Sequence, residues 1–139
     1  MIPLTGPNSE ILFLVRTDFS DDDAWHRVDE VAGREGTNVE TVNDPANRHL
    51  DAATLASELP TFAQGVLLAD HVTMTTSEQL VLVYPTRYDE DEDEVAPFRA
   101  PAALLAYVVC PIVLGSRNWS EVGGLVNQDG VFSMDHPRP

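Results

Sequence analysis

Three short runs of uninterrupted apolar residues constrain the fold of this chain more than any other feature. They lie at residues 11–15, 65–69 and 80–84. Apolar runs of this length, bounded by turn-forming residues, are typical of strands that are covered on both faces. A β-rich segment at residues 37–42 and a shorter one at residues 97–99 indicate additional strands. The sequence therefore predicts a sheet of four to five strands.

Helix-forming segments separate most of these strands. Ser20 begins a capping pattern, and the apolar residues after it recur on one helix face, while Asp51 and Asn118 are placed to cap two further helices. The order strand, helix, strand, helix, strand, strand predicts an α/β fold, a single three-layer sandwich with a mainly parallel sheet. Residues 70–79 are few for a full crossover helix, so a tight turn or an irregular loop is expected there.

The length of 139 residues fits one domain, with an ordered core at about residues 10–133. Residues 89–94 are six consecutive acids, whose mutual repulsion predicts a mobile, solvated loop over residues 85–96. The longest uncharged stretch, residues 100–116, contains two prolines and is too short to span a membrane, so it is expected to be buried core. Its helix is predicted to break at Pro111.

The charge balance is strongly acidic, because 23 Asp and Glu residues face eight basic ones and give a net charge of −15. All eight basic residues are Arg, and the absence of Lys argues against chemistry that needs an amine. Such a chain repels nucleic acid and anionic membranes. The charge either serves solubility alone or attracts a basic protein partner. The predicted partner-binding residues are the six consecutive acids Asp89, Glu90, Asp91, Glu92, Asp93 and Glu94.

Cysteine content and the first residues of the chain predict a cytoplasmic protein. Cys110 is the single cysteine, so no internal disulfide can form, and its apolar neighbours indicate an inert buried thiol. The first four residues lack the basic and apolar regions of a signal peptide. The oligomeric state stays open at this point.

Aspartates follow three of the predicted strands and supply the main candidate site. Asp18, Asp44 and Asp70 come after the first, second and third strands, and ligands of open α/β sheets bind outside the carboxyl ends of strands. Three carboxylates could hold a divalent cation, although Asp is also common in turns. Arg16 either forms a structural ion pair or grips a ligand. The predicted ligand-binding residues are Arg16, Asp18, Asp44 and Asp70; no cofactor is predicted, with a divalent cation as the open alternative.

Evidence for catalysis in the sequence is sparse. Asp70 and His71 could pair an orienting acid with a base, but no Ser or Cys lies in a nucleophile motif. Asp22, His26 and Asp29 share a helix face, which is typical of a solvated face and, less often, of a metal site. No phosphate-binding glycine loop and no zinc spacing are present. The sequence favours a non-enzymatic protein.

Several short motifs resemble those of a known family. Residues 16–21 are Arg-Thr-Asp-Phe-Ser-Asp, with Ala-Trp following at 24–25, and residues 42–45 are Val-Asn-Asp-Pro. Together with Phe-Arg at 98–99, the Asn-Trp-Ser-Glu helix start and Asp-Gly-Val-Phe at 129–132, they resemble an actinobacterial family of unknown function. The resemblance implies a single cytoplasmic domain and no particular activity, and the acidic run has the appearance of an insertion.

The sequence as a whole predicts a non-enzymatic, acidic protein-interaction module, of the immunity or antitoxin kind or an inhibitor of a basic partner. The alternative is a metal-dependent enzyme or a small-ligand binder that uses the strand-end aspartates. A subunit whose apolar segment at residues 100–116 packs in an interface is a third reading. The structure decides which of the predicted residues meet.

Overall fold

The three apolar runs form neighbouring strands in one five-stranded sheet. In the computed structural model, which describes residues 12–33, 38–59, 64–86 and 95–133, these strands are β1 (Leu12–Arg16), β3 (Gly65–Ala69) and β4 (Leu80–Pro85). The outer strands are β2 (Val39–Val42), beside β1, and β5 (Phe98–Pro101), beside β4, so the strand order is β2-β1-β3-β4-β5. The mixed α/β class and the strand number are confirmed.

The sheet is mixed, and the prediction of a mainly parallel sheet was wrong. β1 runs parallel to both β2 and β3, whereas β4 runs antiparallel to both β3 and β5. The reason is the short connection after β3, which holds only the five-residue helix α3 (His71–Thr75). A parallel crossover needs a dozen or more residues, so the chain turns back and β4 starts at the edge where β3 ends.

Helices pack unequally against the two faces of the sheet. Helices α1 (Asp22–Ala32), α4 (Leu105–Leu114) and α5 (Trp119–Gly123) share the larger cluster of buried side chains with one face. The opposite face has a smaller cluster, to which helix α2 (Ala52–Ser57) contributes two side chains. On that face the side chains of β4 are only half-buried. The thinly covered face therefore leaves room beside α2.

Helix α4 continues through Pro111, so the predicted break there was wrong. The missing N–H of Pro111 would have bonded the carbonyl of Tyr107, a residue exposed to solvent, and water can satisfy that carbonyl instead. The helix ends at Gly115, whose φ of 78° places it in the left-handed region that glycine tolerates best.

Two sequence predictions fall outside the described residues. The run of six acids at residues 89–94 is one, and the start of the predicted core at residue 10 is the other. Within the described residues, no helix has both the length and the apolar character needed to cross a membrane.

Candidate functional site

A cleft of about 620 Å³ opens at the edge of the sheet where β1 and β3 end. The strand that follows β1 in the chain is β2, which lies on one side of β1, whereas β3 lies on the other side of β1. The loops after β1 and β3 therefore diverge. Clefts at such reversals of strand order are the usual ligand sites of open α/β sheets. The lining residues come from the loops after β1 and β3, from the start of α2 and from the thinly covered sheet face: Thr17, Asp18, Ser20, His49, Leu50, Asp51, Ala52, Leu68, Asp70, His71 and Leu82.

Asp18 is held in place by hydrogen bonds on both of its carboxylate oxygens. The backbone N–H and the hydroxyl of Ser20 donate to one oxygen over 2.9 and 2.6 Å. The other oxygen lies 3.1 Å from Nδ1 of His71, the first residue of α3. Burial by itself would raise the pKa of Asp18, but the hydrogen bonds from Ser20 and His71 outweigh it and lower the pKa below its ordinary value. Asp18 is therefore an ionised, fixed carboxylate at the base of the cleft.

His71 stands at the open mouth of the cleft. Its side chain is 78% exposed, while its ring nitrogen Nδ1 faces the nearly buried Asp18 carboxylate. The predicted pairing of His71 with Asp70 was wrong, because the Asp70 carboxylate is bound to Arg99 and the His71 ring contacts Asp18. Within the described residues, no serine, threonine or cysteine side chain is hydrogen-bonded to the imidazole ring of His71, and the hydroxyl of Ser20 donates to Asp18 instead. The pair has the orienting acid of a catalytic triad without its nucleophile.

Asp70 lines the cleft while its carboxylate is bound to Arg99 of β5. Both carboxylate oxygens accept from the guanidinium, over 2.7 and 2.9 Å, in the fork geometry that makes such pairs strong. Asp70 also caps α3 through the backbone N–H of Thr73. Burial would raise the pKa of Asp70, but the hydrogen bonds and the positive charge of Arg99 lower it overall. The pair ties the strand-end loop to the outermost strand.

Arg16 is a structural residue and does not line the cleft. Its side chain is 3% exposed, and its guanidinium donates to the Asp18 carbonyl over 2.9 Å and to Asp22 over 2.7 Å. It also lies 4.4 Å from the ring centroid of Phe19, close enough for a cation–π contact. The side chain of Arg16 is on the α1 face of the sheet, opposite the cleft. Arg16 thus shapes the loop that carries Asp18.

Asp44 does not join the other strand-end aspartates in the cleft. Its carboxylate accepts the backbone N–H of Ala46 over 3.0 Å and caps the 3₁₀ turn Pro45–Asn47. This hydrogen bond lowers the pKa of Asp44. Of the three predicted aspartates, Asp18 and Asp70 line one cleft and Asp44 lies elsewhere.

Metal-binding geometry is missing from the described part of the chain. There, no group of three or more His, Cys, Asp or Glu side chains is arranged to hold a metal ion. The described residues include all three strand-end aspartates, and also the helix-face set Asp22, His26 and Asp29. Neither predicted cation site is supported.

Asp51 and His49 are among the cleft residues that were not predicted as site residues. Asp51 caps α2 by accepting the backbone N–H of Thr54 over 2.8 Å, and hydrogen bonds from Thr54 lower its pKa. His49 has a φ of 63°, a left-handed conformation that is uncommon outside glycine, and its N–H donates to the carbonyl of Thr17. The sequence placed Asp51 at a helix start, but no sequence signal brought that start to the cleft.

These features define an acidic α/β domain with an open mixed sheet and a ligand-sized cleft at its strand ends. The chain belongs to the family described as Domain of unknown function (DUF6924), whose model matches residues 12–135. The expectation of an uncharacterised domain family is thereby confirmed. No curated protein matches the chain.

Proposed function

We propose that this domain is a non-enzymatic binding module whose cleft takes a positively charged group of a basic protein partner. The observation that carries the proposal is the set of cleft carboxylates. Asp18, Asp51 and Asp70 line the cleft, and the described lining residues include no arginine. Arg99 offsets only one of the three negative charges. A cation that enters meets two further carboxylates, Asp18 and Asp51, that have no arginine partner within the described residues.

The lowered pKa values of the three aspartates support this function. Asp18, Asp51 and Asp70 all have pKa values below the ordinary range, so all three are ionised at neutral pH. The carboxylates accept only part of the hydrogen bonds that their oxygens can take. An arginine side chain suits this site because its planar fork of donors matches carboxylates. A binding function also fits the missing nucleophile at His71.

The test is an NMR titration of the isotopically labelled protein with a short arginine-rich peptide and with N-acetylarginine methylamide. The expected result is saturable shifts at residues that line the cleft, with binding that weakens as salt increases. The variant Asp51→Asn should weaken binding several-fold. Asp44→Asn is the matched control, since Asp44 also caps a helical turn but lies outside the cleft. Equal effects of the two variants, or no saturable shifts, would contradict the proposal.

The two ligands of this titration separate a protein partner from a small molecule. A peptide that binds much more tightly than the capped amino acid indicates a protein segment. Equal affinity of the two favours the second candidate function, a binder of small cations, which a cleft of about 620 Å³ can hold. Binding of neither ligand removes both candidates.

The acidic run and the compartment belong to the same proposal. We infer that the six acids at residues 89–94 attract the basic partner before it reaches the cleft, as in an immunity protein, an antitoxin or an inhibitor.

The single cysteine and the motif resemblance support a cytoplasmic protein of actinobacterial origin. Buried clusters on both faces of the sheet support a three-layer arrangement.

A further inference from the structure

Helix α4 presents an apolar face that points away from the core. The side chains that it buries are Leu105, Val108, Val109 and Ile112. On the opposite side Tyr107 is 55% exposed and Leu114 is 70% exposed. Residues seven positions apart lie on one side of a helix, two turns from each other. Tyr107, Cys110 and Leu114, with Ala103 in the 3₁₀ turn just before α4, form this stripe, which we call the α4 outer face. Cys110 is its half-buried member, and its thiol donates to the side-chain oxygen of Asn38 over 3.0 Å.

The α4 outer face is uncharged in a chain that is otherwise strongly acidic. No charged residue occurs from Ala100 to Ser116, although the chain carries a net charge of −15. Two copies of such a chain repel each other wherever their acids meet. The α4 outer face allows a second copy to approach without bringing like charges together. A contact between copies is therefore least opposed here.

Opposite charges lie beyond the two ends of the stripe. Glu78 is at the N-terminal end, since the next residue, Gln79, accepts the backbone N–H of Ala102 over 3.1 Å. Arg117 lies three residues past Leu114, and both charged side chains are exposed. Within the described residues neither Glu78 nor Arg117 forms an ion pair. An antiparallel packing of two α4 helices about a two-fold axis would bring the Arg117 end of one stripe to the Glu78 end of the other.

We propose that the α4 outer face joins two copies of this chain in a two-fold dimer. The apolar stripe supplies the contact, and two symmetry-related Glu78–Arg117 pairs fix the antiparallel direction. One helix face offers less area than the roughly 800 Å² per partner of a standard interface, so the dimer is weak and depends on concentration. The face lies on the side of the sheet opposite the cleft, and the dimer is independent of ligand binding there.

The first test is sedimentation velocity over a wide concentration range at low and high salt. Salt screens the repulsion between two highly negative chains more than it weakens two exposed ion pairs, each of which contributes little to stability. We therefore expect association to strengthen as salt increases, the reverse of cation binding in the cleft. A protein that stays monomeric at every concentration and salt level overturns the proposal.

The second test uses variants of the stripe and of its ends. Leu114→Gln should raise the dissociation constant about tenfold or more. Because of the two-fold symmetry, the substitution removes one leucine of each copy from the same interface. Val72→Gln changes a second exposed aliphatic side chain of the described residues, 38% exposed on α3, and should leave association unchanged. Equal behaviour of these two variants overturns the assignment of the face.

A charge exchange tests the antiparallel direction. Glu78→Arg and Arg117→Glu should each weaken the dimer, and the double variant should recover most of the lost affinity. A double variant that is no better than the single ones overturns the antiparallel pairing. The arginine-peptide titration serves as the control for folding and function, since none of these variants lies in the cleft.

Discussion

At the scale of single residues, Arg16 shows how a side chain can resemble a ligand group and yet belong to the framework. It follows an apolar strand and precedes Thr17 and Asp18, so the sequence left a ligand-gripping role open. Its guanidinium is instead buried and donates to a backbone carbonyl and to the carboxylate of Asp22. The planar group also stacks against Phe19. Because Arg16 has these partners, it holds the loop after β1 in place.

We predict that Arg16→Lys destabilises the protein by about 2 kcal/mol, because an ammonium group cannot reach the same acceptors or stack on a ring as a flat guanidinium does. Urea unfolding followed by circular dichroism measures this difference. Arg27→Lys is the matched control, since Arg27 is exposed on α1 and should change stability by less than about 0.5 kcal/mol. An equal loss in the two variants would refute the framework role of Arg16.

The carboxylate of Asp70 should make stability depend on pH in the acid range. Its pKa is lower in the folded protein than in the unfolded chain, so its stabilising effect is complete above about pH 4 and is lost as pH falls through the folded pKa. We predict that Asp70→Asn lowers stability at pH 7 by roughly 1.5–3 kcal/mol, the range for hydrogen bonds to charged groups. The variant should also lose less stability than the natural chain between pH 5 and pH 3. This window extends about one pH unit on each side of the ordinary Asp pKa. Thermal unfolding at several pH values tests both expectations.

At the scale of the elements, the sequence predicted which segments form strands but not the direction of β4. Leu80, Leu82 and Tyr84 make the run apolar at every position, as in a strand covered on both sides. In the structure these three side chains are only half-buried, while Val81 and Val83 are buried. The short connection of residues 70–79 held the correct information, since it leaves no room for a crossover.

The candidate site was predicted only in part, for a physical reason. Strand ends are visible in the sequence, and two of the three strand-end aspartates do line the cleft. The pairing of Asp18 with His71 joins residues 53 positions apart and depends on β1 lying beside β3. The pairing of Asp70 with Arg99 likewise depends on the order of β3, β4 and β5. Contacts that arise from strand order cannot be derived from local patterns.

Gly65 marks a close approach between elements that permits one prediction. A Cβ atom at this first residue of β3 would lie 2.8 Å from the carbonyl oxygen of Tyr84 and 3.1 Å from the ring of Trp119. We predict that Gly65→Ala destabilises the protein by about 1–3 kcal/mol, since backbone or the Trp119 ring must move. Gly124→Ala is the control, because its nearest contact of 3.4 Å is ordinary. Denaturant midpoints of the two variants compare them directly.

At the scale of the whole molecule, the acidic run and the cleft should act on different steps of binding. Replacing the six acids at residues 89–94 by Asn and Gln changes the net charge from −15 to −9, that is −15 + 6. Long-range charge mainly speeds encounter, whereas close contacts mainly slow dissociation. The neutralised chain should therefore bind an arginine-rich peptide with a several-fold lower association rate and a nearly unchanged dissociation rate.

Asp51→Asn should show the opposite, a faster dissociation with a similar association rate. Stopped-flow mixing at low salt gives both rates. A neutralised chain that mainly dissociates faster would mean that the acidic run contacts the bound partner, and it would move the binding surface away from the cleft.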